Sequence, residues 1–154
     1  MRVTTLIPAY KPKYLVELLT CLRHQTVKPA RIIFSDDNPQ GAFTHALGSE
    51  PLKSLVADLN VEVIQGPRNG GYNNFCHLFR YFSALPDRTE LFHVLLDDDL
   101  IYPTFYAEHV RAQGARIDRN DDALGREAAV GVGARAALAR HREHGRRRRP
   151  QDLL

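Results

Sequence analysis

The chain has 154 residues, 44% hydrophobic and 25% charged, which suffices for one domain with its own core. Its net charge of +3 hides an asymmetry, since residues 1–110 hold 10 Lys/Arg against 12 Asp/Glu and residues 111–154 hold 11 Arg against 6 acids. The basicity belongs to the tail, so no nucleic-acid partner is expected of the folded part, and no apolar run reaches the length of a membrane span. Val3 to Ala9 is too short for a secretory signal and is interrupted by Pro8. Cys21 and Cys76 lack C-x-x-C spacing and read as small apolar residues of a reducing compartment. A cytoplasmic protein is expected.

In chain order, Val3–Pro8 is β-branched, ends at a proline and reads as the first strand. Pro12 suits a first helical turn, and Leu15, Leu18, Leu19 and Leu22 then fall on one helix face. Arg31–Ser35 is the second strand and runs into Asp36-Asp37-Asn38. Pro51 opens a second helix with the face Leu52, Leu55, Val56 and Leu59, and Val61–Ile64 is a third strand. After Gly70-Gly71 a third helix carries Phe75, Leu78, Phe79 and Phe82. The apolar run from Phe92 reads as a buried fourth strand that ends in Asp97-Asp98-Asp99, and Pro103 opens a fourth helix.

Strands alternating with helices imply an α/β fold, a parallel sheet of about four strands flanked by helices. Ligands bind such sheets outside the carboxyl ends of the strands. Pro8-Ala9-Tyr10, Asp36-Asp37-Asn38 and Asp97-Asp98-Asp99 all fall there. Three adjacent carboxylates raise one another's pKa unless a cation neutralises them. In an extended strand Asp97 and Asp99 would point one way and Asp98 the other. Such a pair suits Mn²⁺ or Mg²⁺ completed by substrate phosphates. Alone, the triplet fits a solvated strand end or helix caps equally well. Asp36 is better read as a turn residue before Pro39.

Val3–Tyr10, the helix ending His24-Gln25-Thr26, Ile32–Asn38 and Leu95–Asp99 together resemble the family 2 glycosyltransferases of GT-A fold, over roughly residues 2–110. Arg68-Asn69-Gly70-Gly71-Tyr72-Asn73-Asn74-Phe75 is similar to the Asn-x-Gly-Gly stretch of galactofuranosyl- and rhamnosyltransferase-like members. The glycines would let backbone approach a ligand, and the helix N-terminus after them favours negative charge. The resemblance implies a GT-A nucleotide-sugar-binding domain over residues 1–110, with Pro8, Ala9, Tyr10, Asp37, Arg68, Asn69, Gly70, Gly71 and Asp98 at the substrate. Tyr10 would pack on the base and Asp37 would bond its edge. Asp97 and Asp99 would hold Mn²⁺ or Mg²⁺ as the outer residues of a D-x-D motif. Lys11 stands where the family commonly has asparagine.

The implied activity is transfer of a sugar from a nucleotide-diphospho-sugar donor to a glycan or lipid-linked acceptor, inverting, in polysaccharide synthesis at the inner face of the membrane. Residues 111–154 are Arg/Ala/Gly-rich and expected to be disordered or weakly helical, with His141 and His144 as solvated residues. No catalytic base is recognisable. A chain truncated or frame-shifted after about residue 110 is therefore expected, with self-association through an uncovered sheet edge. Competing readings are a non-catalytic nucleotide-binding remnant and a nucleic-acid-associated protein acting through its Arg-rich tail.

Overall fold

The computed structural model describes residues 1–116. The expected Arg/Ala/Gly-rich tail, with Arg146–Arg149, His141 and His144, lies outside the described residues from 117 onward. Met1–Ala112 forms one compact unit, and the sheet lies wholly within it.

Strands β1 (Val3–Ala9), β2 (Arg31–Asp36), β3 (Val61–Gln65) and β4 (Leu91–Val94) form one parallel sheet in the order β3-β2-β1-β4. This is the α/β architecture anticipated from the alternation of patterns. A short 3₁₀ turn, Pro12–Tyr14, leads into α1 (Leu15–Arg23), whose Leu15, Leu18, Leu19 and Leu22 are all buried. Helices α2 (Ala42–Leu47) and α3 (Leu52–Leu55) join β2 to β3, α4 (Gly71–Ala84) joins β3 to β4, and residues 105–116 are helical.

Side-chain alternation divides the core between the two sheet faces. Ile7, Ile32 and Phe34 pack with α1, Phe43, Leu47, Leu52 and Tyr106. Leu6 and Ile33 pack on the other face with Leu78 and Phe82 of α4. Both outward crossovers therefore run over one face, while α4 carries the chain back across β2 and β1 over the other. A single crossover hand requires that change of face when the direction of travel reverses. The reversal lies between β1 and β4, so the crevice outside their carboxyl ends is the switch point of the sheet.

Five local points need correction. The fourth strand is not buried: β4 is an edge, and Phe92 is 50% exposed. It also stops at Val94, so the acidic triplet is not strand. Asp97 and Asp98 form a turn in which Asp99 N–H bonds the Leu96 carbonyl at 3.2 Å, and strand alternation does not govern where the carboxylates point. Helix α2 was not anticipated, because its only apolar spacing is Phe43 to Leu47. The helix expected at Pro51 is the four-residue α3, although Leu55, Val56 and Leu59 still pack against the core. Finally, the buried stripe of α4 is Asn74, Leu78 and Phe82, whereas Phe79 is exposed beside Phe92, with ring centroids 5.3 Å apart.

Candidate nucleotide-binding site

The four loops at the carboxyl edge are tied together by their own polar groups. Asp97 bridges the switch point, because one of its carboxylate oxygens accepts the backbone N–H groups of Tyr10 and Lys11 at 2.8 and 3.1 Å. Asn38 links β2 to the same loop by donating its side-chain amide to the Tyr10 carbonyl at 3.0 Å. Tyr10 is thus held from both sides while its side chain stays half exposed.

Asp37 is buried, with its N–H on the Ala9 carbonyl at 2.9 Å and one carboxylate oxygen accepting the N–H of Arg68. Arg68 has φ +57° and Gly70 φ +101°, left-handed conformations that the loop needs in order to turn into α4. Gly66 makes the approach possible. A Cβ there would sit 2.8 Å from both Cα and a carboxylate oxygen of Asp37.

Asp36 is the last residue of β2 and is also buried. It accepts the N–H of Asn38 at 3.1 Å, as the turn reading expected, and also caps α2 through the N–H and hydroxyl of Thr44 at 3.0 and 2.9 Å.

Around this frame lies a cavity of about 530 Å³ lined by Pro8, Ala9, Tyr10, Asp37, Arg68, Gly70 and Gly71, together with Pro39, Asn74, Phe75 and Leu96. Seven of the residues selected from the sequence thus surround one space. Asn69 and Asp98 are not among its walls. A second cavity of about 240 Å³ shares Tyr10 and is lined further by Lys11, Lys13, Tyr14, Asp97 and Asp98, while Asp99 lines neither.

The chemistry of the donor set suits a hard divalent cation, since residues 97–99 offer only carboxylate oxygens. Among the described residues no three His, Cys, Asp or Glu side chains converge as a metal cluster. Mg²⁺ or Mn²⁺ held here by Asp97 and Asp99 would complete its shell with water and substrate oxygens, as these ions commonly do.

Two residues of the quoted motifs had no role assigned from the sequence. Asn74 is 2% exposed and donates its side-chain amide to the Ser35 carbonyl at 3.1 Å, which leaves its own carbonyl oxygen buried without a partner among the described residues. The available signal was a polar residue interrupting the stripe of Leu78 and Phe82. Gln25 is buried and donates to the Tyr102 carbonyl at 2.9 Å, and Thr26 N–H bonds the Pro103 carbonyl at 2.9 Å. The Gln-Thr pair therefore anchors the segment that follows the acidic turn. Cys21, a free thiol like Cys76, exchanges hydrogen bonds with the backbone of Ile101 in the same region. Among the described residues no helix is long and apolar enough to cross a membrane.

No family model matches the chain, and no curated protein matches it. Among solved structures it is similar to TarS 1–349 of S. aureus, a family 2-type glycosyltransferase, with a TM-score of 0.52 and 21% identity. The match covers 77% of this chain and 33% of that one, so the chain spans about a third of the TarS structure. At that identity the likeness is one of fold, and this chain has a glycosyltransferase-like fold.

Proposed function

We propose that the chain carries the nucleotide-sugar-binding half of a family 2 glycosyltransferase. One observation carries this reading. Pro8, Ala9, Tyr10, Asp37, Arg68, Gly70 and Gly71 come from the ends of three separate strands and the segments that follow them, and surround a single cavity at the switch point. A volume of about 530 Å³ falls within the range of small-ligand pockets. The base of a nucleotide-diphospho-sugar lies against Tyr10, with the unshared carboxylate oxygen of Asp37 available to its edge. The diphosphate extends toward Asp97, Asp98 and Asp99, where Asp97 and Asp99 hold Mn²⁺ or Mg²⁺. When bound, that cation supplies Lewis-acid neutralisation of charge on the leaving diphosphate.

The acceptor is a glycan or lipid-linked saccharide of polysaccharide synthesis at the inner membrane face, in the manner of galactofuranosyl- and rhamnosyltransferase-like enzymes. No residue is assigned as catalytic base. Calorimetric titration with UDP, GDP and dTDP, with and without Mn²⁺, tests the binding. Saturable binding of one diphosphate, strengthened by Mn²⁺, is the expected result, and heats at the level of dilution for all three would refute the reading. Turnover of labelled nucleotide-sugars on a panel of acceptors then separates an enzyme from a binding remnant.

A further inference from the structure

Tyr10 is a wall shared by two cavities of different chemistry. Asp37 and Arg68 are the charged lining residues of the larger one, and one Asp37 oxygen is engaged by the loop N–H of Arg68. The smaller one brings together Lys11, Lys13, Asp97 and Asp98. Of these carboxylates Asp97 is already served by two backbone N–H groups. The lysines are not paired in the same way. Arg2, Arg23, Lys28 and Arg31 form ion pairs, but neither Lys11 nor Lys13 does among the described residues. Lys13 Nζ instead sits 4.7 Å from the ring centroid of Tyr14, a cation kept at the lip of the cavity by an aromatic face. Pro12 lies between the lysines at the start of the 3₁₀ turn, and its restricted φ limits how the loop carrying both can move.

We propose that Lys11 and Lys13 form a phosphate subsite, so that part of the affinity for a nucleoside diphosphate needs no divalent cation. This rests on the nucleotide reading of the larger cavity: a base against Tyr10 directs its phosphates across the ring into the smaller one. Neither ammonium group has an ion-pair partner among the described residues, although Asp97 and Asp98 share the cavity, and Lys binds phosphate as a compact point charge. The asparagine common in the family at the position of Lys11 would carry no charge, so the feature belongs to this chain.

Isothermal titration in EDTA at low salt tests the proposal with UDP, uridine and inorganic pyrophosphate as probes. The proteins are the full chain and its Lys11→Gln, Lys13→Gln, doubly substituted and Lys11→Arg variants. UDP should bind about tenfold more tightly than uridine, each Gln substitution should weaken UDP about three- to fivefold, and Lys11→Arg should stay near wild type. In the double variant UDP should fall to the level of uridine, whose own affinity is unchanged, and pyrophosphate binding should vanish. High salt should have the same effect by screening the exposed charges. Equal affinity for UDP and uridine in the wild type overturns the proposal, as does a UDP preference that survives in the double variant. If pyrophosphate binds through the lysines while UDP and uridine do not bind, the subsite is a free-phosphate site and the proposal of a nucleotide subsite is overturned. Absence of all three bindings overturns it as well, and the titrations of UDP, GDP and dTDP with Mn²⁺ decide the nucleotide reading separately.

Discussion

Asp37 serves the fold and the proposed ligand with the two oxygens of one carboxylate. One oxygen accepts the N–H of Arg68 and so holds the loop that enters α4, and the other accepts no hydrogen bond among the described residues. Two substitutions separate these roles. Asp37→Asn retains an acceptor for Arg68, so it should leave stability nearly unchanged while altering the preference among UDP, GDP and dTDP. Asp37→Ala also removes the acceptor and should cost about 0.5–1.5 kcal/mol in urea unfolding, the usual net value of one hydrogen bond. Tyr10 has the opposite character, because among the described residues only its backbone is hydrogen-bonded and its side chain is half exposed. Tyr10→Ala should therefore weaken nucleotide binding by about 1–3 kcal/mol, as loss of a base–aromatic stack does, with little change in melting temperature. Calorimetry and thermal unfolding of the same three variants check both expectations.

At the level of elements, β4 and the helix over 105–116 meet through a small polar cluster. Tyr106 hydroxyl lies 2.6 Å from the Thr5 hydroxyl and 3.4 Å from His93 Nδ1, and the His93 ring lies 4.7 Å from that of Phe105. Burial first, and then the charge of His109, hold the His93 pKa below its ordinary value. Protonation is thus disfavoured in the fold, whereas the unfolded chain takes up the proton near pH 6.5. The unfolded state binds more protons in that range, so stability rises with pH there. The contribution should be complete above about pH 6.5 and lost as pH falls through the lowered folded value. Urea unfolding at stepped pH should show a decline toward acid that is shallower in His93→Phe. Burial pushes Tyr106 the other way, up to about 12 from 10.0, which removes stability as pH rises through that interval.

For the whole molecule the decisive place is the reversal between β1 and β4. Four parallel strands wound in both directions leave a crevice there, and Asp97 spans it by accepting two N–H groups from the end of β1. Asp99 has no such bond to a neighbouring loop among the described residues. Asp97→Ala should therefore lower stability by about 1–3 kcal/mol through the lost amide acceptor, while Asp99→Ala should leave stability close to wild type. Both should weaken Mn²⁺-dependent nucleotide binding. If the two variants unfold together with equal loss, Asp97 is no bridge. If neither changes Mn²⁺-dependent affinity, the acidic turn holds no cation.

The α/β class, the parallel sheet and the leucine face of α1 were legible because they depend on local periodicity, which any window of the chain displays. So was the gathering of Pro8-Ala9-Tyr10, Asp36-Asp37-Asn38 and Asp97-Asp98-Asp99 at one sheet edge, since strand ends are local signals and parallel strands share an edge, whereas Arg68-Asn69-Gly70-Gly71 was expected at the ligand only from the resemblance. What the sequence could not decide depended on partners distant along the chain. Helix α2 is capped by Asp36 from outside the helix, Asn74 is buried because α4 rotates toward the Ser35 carbonyl, and β4 is an edge because the crossover through α4 returns past β1 and β2. The acidic triplet shows the difference most plainly. Its composition was enough to place it at a strand end, but only the tertiary structure ended that strand at Val94 and turned Asp97 to the backbone of Tyr10 and Lys11, where two N–H groups needed an acceptor.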